Sequence, residues 1–141
     1  MDVGYAVKKP KKKTLPALKK KAWKMLSEII RRTSADVYGY CRCVTCGFTR
    51  HWKEMHAGHA IGGRKASTLF DEDIIHTQCP TCNIWKGGNY GEFAAFLIRK
   101  YGLEWYEKKV ETARKPAKLT RADVEEKIEN YKKRLEALGC Q

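Results

Sequence analysis

Hydrophobic residues recur at helical spacing near both ends of the chain and lose that period in the middle. Leu15, Leu18, Ala22, Leu26 and Ile29 form one stripe, widened by Trp23, Met25 and Ile30. Thr14 offers an N-cap and Pro16 suits a first turn, so a helix is predicted from near Thr14. Lys19, Lys20, Lys21 and Lys24 fall largely off its apolar stripe. At the far end, Phe93, Phe96, Leu97 and Tyr101 share one side of a second helix that Gly102 can cap. "LEWYEKKVETARK" predicts a third, stopping before Pro116. Thr120 and Asp123 form a capping box, and Val124, Ile128, Tyr131, Leu135 and Leu138 follow at alternating steps of four and three. That seam is expected to pack on the body of the protein; a coiled-coil homodimer is the alternative.

The middle reads differently. Tyr38, Tyr40 and Val44 favour strand, Gly39 and Gly47 punctuate it, and "DIIHTQ" predicts a short strand. The stretch around Gly62 and Gly63 reads as loop, and "CPTCNIWKGG" as a knuckle that opens a short helix. Trp52 and Trp85 read as core aromatics, and His51 and His76 as structural residues. The chain thus divides into a basic arm (1–13), a basic amphipathic helix (14–36), a compact middle (37–90) and a helical region (91–141).

Charge sharpens that division. The net charge is +13, of which residues 1–50 carry +10, residues 51–100 only +1 and residues 101–141 +2. A basic segment on a near-neutral body is the footprint of a polyanion binder, and nucleic acid is the expected partner. Lys11, Lys12 and Lys13 of the arm, the four helix lysines, Arg64, Lys65 and Lys86 are the candidate phosphate contacts. No apolar run approaches the roughly 20 residues a membrane span requires. No apolar segment follows the basic N-terminus as a secretory signal would require, so an intracellular protein with no membrane partner is expected.

The chemistry lies in the cysteines and in what separates them. Cys43-x-x-Cys46 and Cys79-x-x-Cys82 have the spacing of two zinc knuckles. Four thiolates fill a tetrahedral Zn²⁺ site, which makes the zinc structural. Cys41 lacks knuckle spacing and Cys140 lies near the chain end. Between and after the knuckles come His56, His59, Gly62-Gly63, then Asn83 and Lys86.

This layout resembles the HNH, or ββα-metal, nucleases. The resemblance implies an α+β fold, with a small treble-clef-like zinc-knuckle core flanked by N- and C-terminal helices. It maps the general base onto His59 and a catalytic-metal ligand onto Asn83. Histidine suits activation of water near neutral pH, and an amide oxygen suits Mg²⁺ or Mn²⁺. Two positions depart from that pattern. Gly58 stands where an acidic metal ligand usually precedes the base, and Ile74 where an asparagine is usual. His56 or Asp73 are the candidates to complete the metal's ligands.

A narrower likeness runs over nearly the whole chain. "TLPALKKKAWKMLSEIIRR", "CRCVTCG", "HWKEMHAGHAIGGR", "LFDEDIIHTQCPTCN", "KGGNYGEFAAFLIRKYG" and "NYKKRLEAL" resemble the NinG (Rap) proteins of lambdoid phages. That likeness implies a metal-dependent endonuclease acting on branched, Holliday-junction-like DNA in phage recombination, inside the bacterial host cytoplasm. The rival expectations are a non-catalytic zinc-dependent DNA-binding scaffold, favoured by Gly58 and Ile74, and an HNH enzyme that nicks ordinary duplex DNA.

Overall fold

A computed structural model describes residue 4 and residues 11–63 and 65–139. The basic arm up to Pro10, apart from Gly4, and the candidate phosphate contact Arg64 lie outside the described residues. The order of elements is α1 (Leu15–Thr33), β1 (Tyr40–Arg42), β2 (Thr49–His51), β3 (His56–His59), β4 (Ile75–Gln78), α2 (Tyr90–Tyr101), α3 (Leu103–Arg114) and α4 (Arg121–Leu138). The protein is α+β, with two small hairpins set among helices.

Each helix starts and stops for a local reason. Thr14 caps α1 by accepting from the Ala17 amide at 3.3 Å, with proline in the first turn. Leu18, Ala22, Leu26 and Ile29 then bury one face. The Thr120–Asp123 box opens α4, each side chain accepting from the other's backbone amide. Val124, Ile128 and Tyr131 are buried against the body, and α4 lies along α1. The seam is thus used within the chain. Arg32 of α1 donates to the carbonyls of Leu138 (3.3 Å) and Gly139 (2.7 Å), satisfying acceptors that the end of α4 leaves open.

The core gathers the α1 stripe with Ala57 and Ala60, Ile74 and Ile75, Phe93 and Leu97, and the three buried residues of α4. Ile74, in place of the asparagine usual in HNH proteins, is 1% exposed and belongs to this core. Tyr101, assigned to the apolar side of α2, lies at its exposed end and stacks on Trp105 at 4.1 Å. A second cluster holds Cys41, Cys43, Trp52, Met55, Cys79 and Cys82. Trp52 is a core residue as its sequence predicts, but Trp85 is not: it is 84% exposed. The reason is its place at the end of a tight turn, Thr81–Trp85, whose buried contacts are made by Cys82. No helix among the described residues is long and apolar enough to cross a membrane.

The two hairpins carry the chemistry. In the first, β1 pairs with β2, and the Cys43–Cys46 knuckle is the turn between them. Cys43 donates its amide to Phe48 and accepts from Gly47, both at 2.8 Å, and Gly47 has φ +79°, which favours glycine. In the second, β3 pairs with β4 in the register His56 to Gln78 and Gly58 to His76. β4 runs straight into the second knuckle, so strand pairing fixes where β3 stands relative to Cys79, Cys82 and Asn83.

Candidate active site and metal centre

Four sulfurs meet between the hairpins. The Sγ atoms of Cys43, Cys46, Cys79 and Cys82 all lie within 4.8 Å of one another. Cys46 and Cys79 are 3.7 Å apart. Tetrahedral zinc with bonds of about 2.3 Å places its sulfurs about 3.8 Å apart, so the four fit the ion. Cys41 is buried but outside the cluster. The surroundings of Cys43 favour its thiolate, while burial pushes the Cys79 thiol up. Burial works against ionising Cys43, yet the Thr45 hydroxyl at 3.3 Å and nearby backbone amides bring it down to about 6. The Cys82 amide donates to Cys79 Sγ at 3.4 Å, and Asn89 donates to Cys82 Sγ at 3.5 Å. Cys46 is instead pushed up to about 12, by burial and by the three sulfurs beside it. Four thiols this close cannot all ionise unless a cation shares the site. No catalytic position is left open there, so these residues would hold Zn²⁺ as a structural ion.

A cleft of about 280 Å³ opens beside this centre, lined by Trp23, Ser27 and Arg31 of α1, Met55, His56, Ala57 and Asn83. Asn83 leaves the second knuckle immediately after Cys82 and bonds His56 Nδ1 through its Nδ2 at 3.1 Å. Burial, then the positive charge of Arg31, hold the His56 pKa below the usual histidine value. A neutral imidazole of this kind suits a metal ligand or a hydrogen-bond partner.

The packing around Gly58 shows why no acidic side chain stands there. A Cβ at position 58 would overlap Gln78 Oε1 and sit 3.2 Å from Asn83 Oδ1. Gln78 is fully buried, and its Nε2 donates to Thr45 Oγ1 (3.1 Å) and to the Gly88 carbonyl (2.9 Å). The Gly88 carbonyl needs a donor, which fixes the orientation of the amide. Gln78 Oε1 is therefore turned toward Gly58, buried and without a hydrogen-bond donor. The volume that an acidic residue 58 would occupy is filled from across the hairpin by an amide oxygen. Two amide oxygens, Asn83 Oδ1 and Gln78 Oε1, form a neutral donor pair that fits a hard divalent cation; His56 can join them only by giving up its Nδ1 bond to Asn83. Gly58→Ala should cost about 1–3 kcal/mol of stability, because the added methyl displaces the Gln78 amide. Matching melting curves for the two proteins would contradict this packing.

His59 sits on the other side of β3 and does not line the cleft, so the structure does not bring it together with His56 and Asn83 on one face. Its Nε2 lies 3.1 Å from the Leu69 carbonyl, and its ring stacks on Trp23 at 4.6 Å. Trp23 thereby links the two histidines, since it also lines the cleft beside His56 and Asn83. Asp73 is engaged elsewhere: it pairs with Lys109 of α3 at 3.0 Å, and Asp71 pairs with the same lysine at 2.9 Å. His76 is hydrogen-bonded to the Asp73 carbonyl and packed against Phe96, and His51 caps a short turn by accepting from Lys53, both structural roles. Lys11, Lys12, Lys13, Lys20, Lys24, Lys65 and Lys86 are exposed, while Lys19 and Lys21 are half-buried on α1.

Arg31, Ser27 and Gln78 had no place in the sequence-based site. Trp23, Ser27 and Arg31 follow one another at steps of four along α1, beside its apolar stripe, and that spacing was the available signal. The Arg31 guanidinium is pinned, donating to Ser27 and to the Trp52 carbonyl at 3.0 Å.

The chain as a whole matches the family model described as the bacteriophage lambda NinG protein, over residues 4–140. It belongs to the NinG family. No curated protein and no solved structure matches it. Within this NinG-family chain the match spans both knuckles, the cleft and all four helices, so the site belongs to the family domain rather than to an appended segment.

Proposed function

We propose that the protein is a divalent-cation-dependent DNA endonuclease that cuts branched, Holliday-junction-like intermediates in phage recombination, with a structural zinc beside its active site. The observation that carries this reading is the second hairpin. It holds His59 by a backbone carbonyl and sets His56 against Asn83 at the edge of a cleft lined by Arg31. His59 donates Nε2–H to the Leu69 carbonyl, and its imidazole would take the proton from the attacking water. The Leu69 bond and the Trp23 stack hold the ring in one orientation. Arg31 presents a fixed positive charge to the phosphate. Asn83 Oδ1 and Gln78 Oε1, joined by His56 once it gives up its bond to Asn83, would hold Mg²⁺ or Mn²⁺, which when bound neutralises the scissile phosphate and stabilises the leaving oxygen. Asp73, tied to Lys109, is the weaker candidate ligand.

Exposed lysines on the arm and α1 would contribute sequence-independent attraction that weakens steeply with salt. A non-catalytic DNA-binding scaffold is the second reading, favoured by a cation donor set without a carboxylate. The deciding experiment incubates the zinc-loaded protein with a four-way junction and with a linear duplex in Mg²⁺, in Mn²⁺, or with neither added. Cutting of the junction that requires added Mg²⁺ or Mn²⁺ is expected. Binding without cutting in either metal would establish the scaffold instead, and equal cutting of both DNAs an ordinary duplex nuclease.

A further inference from the structure

The turn that carries Asn83 ends on a side chain that the fold does not use. Trp85 is 84% exposed and Ile84 before it is 59% exposed. Leaving an indole in water forgoes the stabilisation that burial would return, so its position calls for a reason. Local structure supplies none. Backbone bonds close the turn without the side chain of residue 85: Lys86 to Thr81 at 2.9 Å, Gly87 to Ile84 at 3.0 Å and Gly88 to Cys82 at 2.9 Å. Any residue at position 85 could complete it.

Its surroundings indicate what would cover it. Trp85 stands two residues from Asn83, and exposed Lys86 follows it. From Ile74 through Gly91 the sequence contains no carboxylate, in a chain of net charge +13. A polyanion can approach this turn without repulsion, and the zinc knuckle from which it springs makes it a rigid platform. An indole face suits the face of a nucleobase, and stacking of this kind is indifferent to sequence. Inside a continuous duplex both faces of each base are already covered. An open face exists where stacking is interrupted, at a branch point or in a single strand.

We infer that Trp85 is the binding site for an unstacked nucleobase at a DNA branch, and so the residue that distinguishes branched from linear DNA. The inference rests on the reading of the protein as one that acts on DNA, and it places the branch beside the Asn83 cleft.

The test compares the zinc-loaded full chain with Trp85→Ala and Trp85→Phe. Affinity is measured without added Mg²⁺ or Mn²⁺, so that no cutting intervenes, for a four-way junction and for a linear duplex of equal length. Trp85→Ala should weaken junction binding by roughly 5- to 100-fold. Duplex binding should stay unchanged, and Trp85→Phe should keep most of the junction affinity. A 2-aminopurine placed at the branch should be quenched by the unsubstituted protein and not by Trp85→Ala. Equal loss on both DNAs, or no loss on either, overturns the assignment. So does a change of oligomeric state in Trp85→Ala with unaltered DNA affinity, which would mark the patch as a contact with a second copy of the chain. A protein that binds junctions but never cuts them defeats the nuclease reading and leaves this binding test standing; one that binds neither DNA defeats both.

Discussion

Cys79→Ser is expected to release the zinc and unfold the two-hairpin core. Cys79 stands 3.7 Å from Cys46 and accepts the Cys82 amide, so its sulfur belongs to both the cluster and the geometry of the second knuckle. The apolar material around it is small, comprising Cys41, Trp52, Met55 and the cysteines themselves. The β1–β2 hairpin has only three residues per strand and sits in this small cluster rather than in the main core, and an isolated pair of short strands is at best marginally stable. The ion must supply what packing does not. A structural zinc contributes roughly 10–16 kcal/mol, as much as or more than the roughly 5–15 kcal/mol of net stability an ordinary domain possesses. Serine binds zinc poorly and leaves three thiols crowded without their cation. Zinc content by mass spectrometry and unfolding followed by circular dichroism check this together. A cooperatively folded Cys79→Ser protein without zinc would show that the cluster is not structural.

His59→Ala should cut junction DNA about 10²- to 10⁴-fold more slowly while binding it as before. The ring is half-exposed and held by the Leu69 carbonyl and by Trp23, so its removal leaves the zinc centre untouched. Loss of the Trp23 stack would cost some stability, so the variant's melting temperature belongs beside its rate. His56→Ala provides the contrast. It removes the partner of Asn83 and one member of the cation's donor set, so its defect should be partly relieved by raising Mn²⁺, which the His59→Ala defect should not be.

Much of this architecture is legible in the sequence because it rests on local rules. Thr14, the Thr120–Asp123 box and Gly102 mark helix ends through bonds to neighbours three or four residues away. The four zinc cysteines are legible because a knuckle requires its two sulfurs a fixed distance apart along the chain. The remainder depends on contacts that sequence spacing does not encode. Trp85 reads as a core residue by composition, and only the geometry of its turn turns it outward. Gly58 looks like a missing ligand until β4 is paired with β3, when the Gln78 amide is found in its place. Arg31 looks like one more basic residue until Ser27 and the Trp52 carbonyl, 21 residues away, fix it at the mouth of the cleft. Asp73 is adjacent to the position of the usual asparagine, but Lys109 from α3 claims its carboxylate.

The central claim is that the hairpin holding His59 and the Asn83 cleft form a phosphodiester-cleaving site. It is tested most directly by one paired assay: cleavage of a four-way junction in Mn²⁺ by the unsubstituted protein and by His59→Ala, with binding of the same junction measured in parallel. The account predicts cutting by the first, a loss of at least about 10²-fold in the second, and similar binding by both. Undiminished cutting by His59→Ala, or no cutting by the unsubstituted protein, would contradict it.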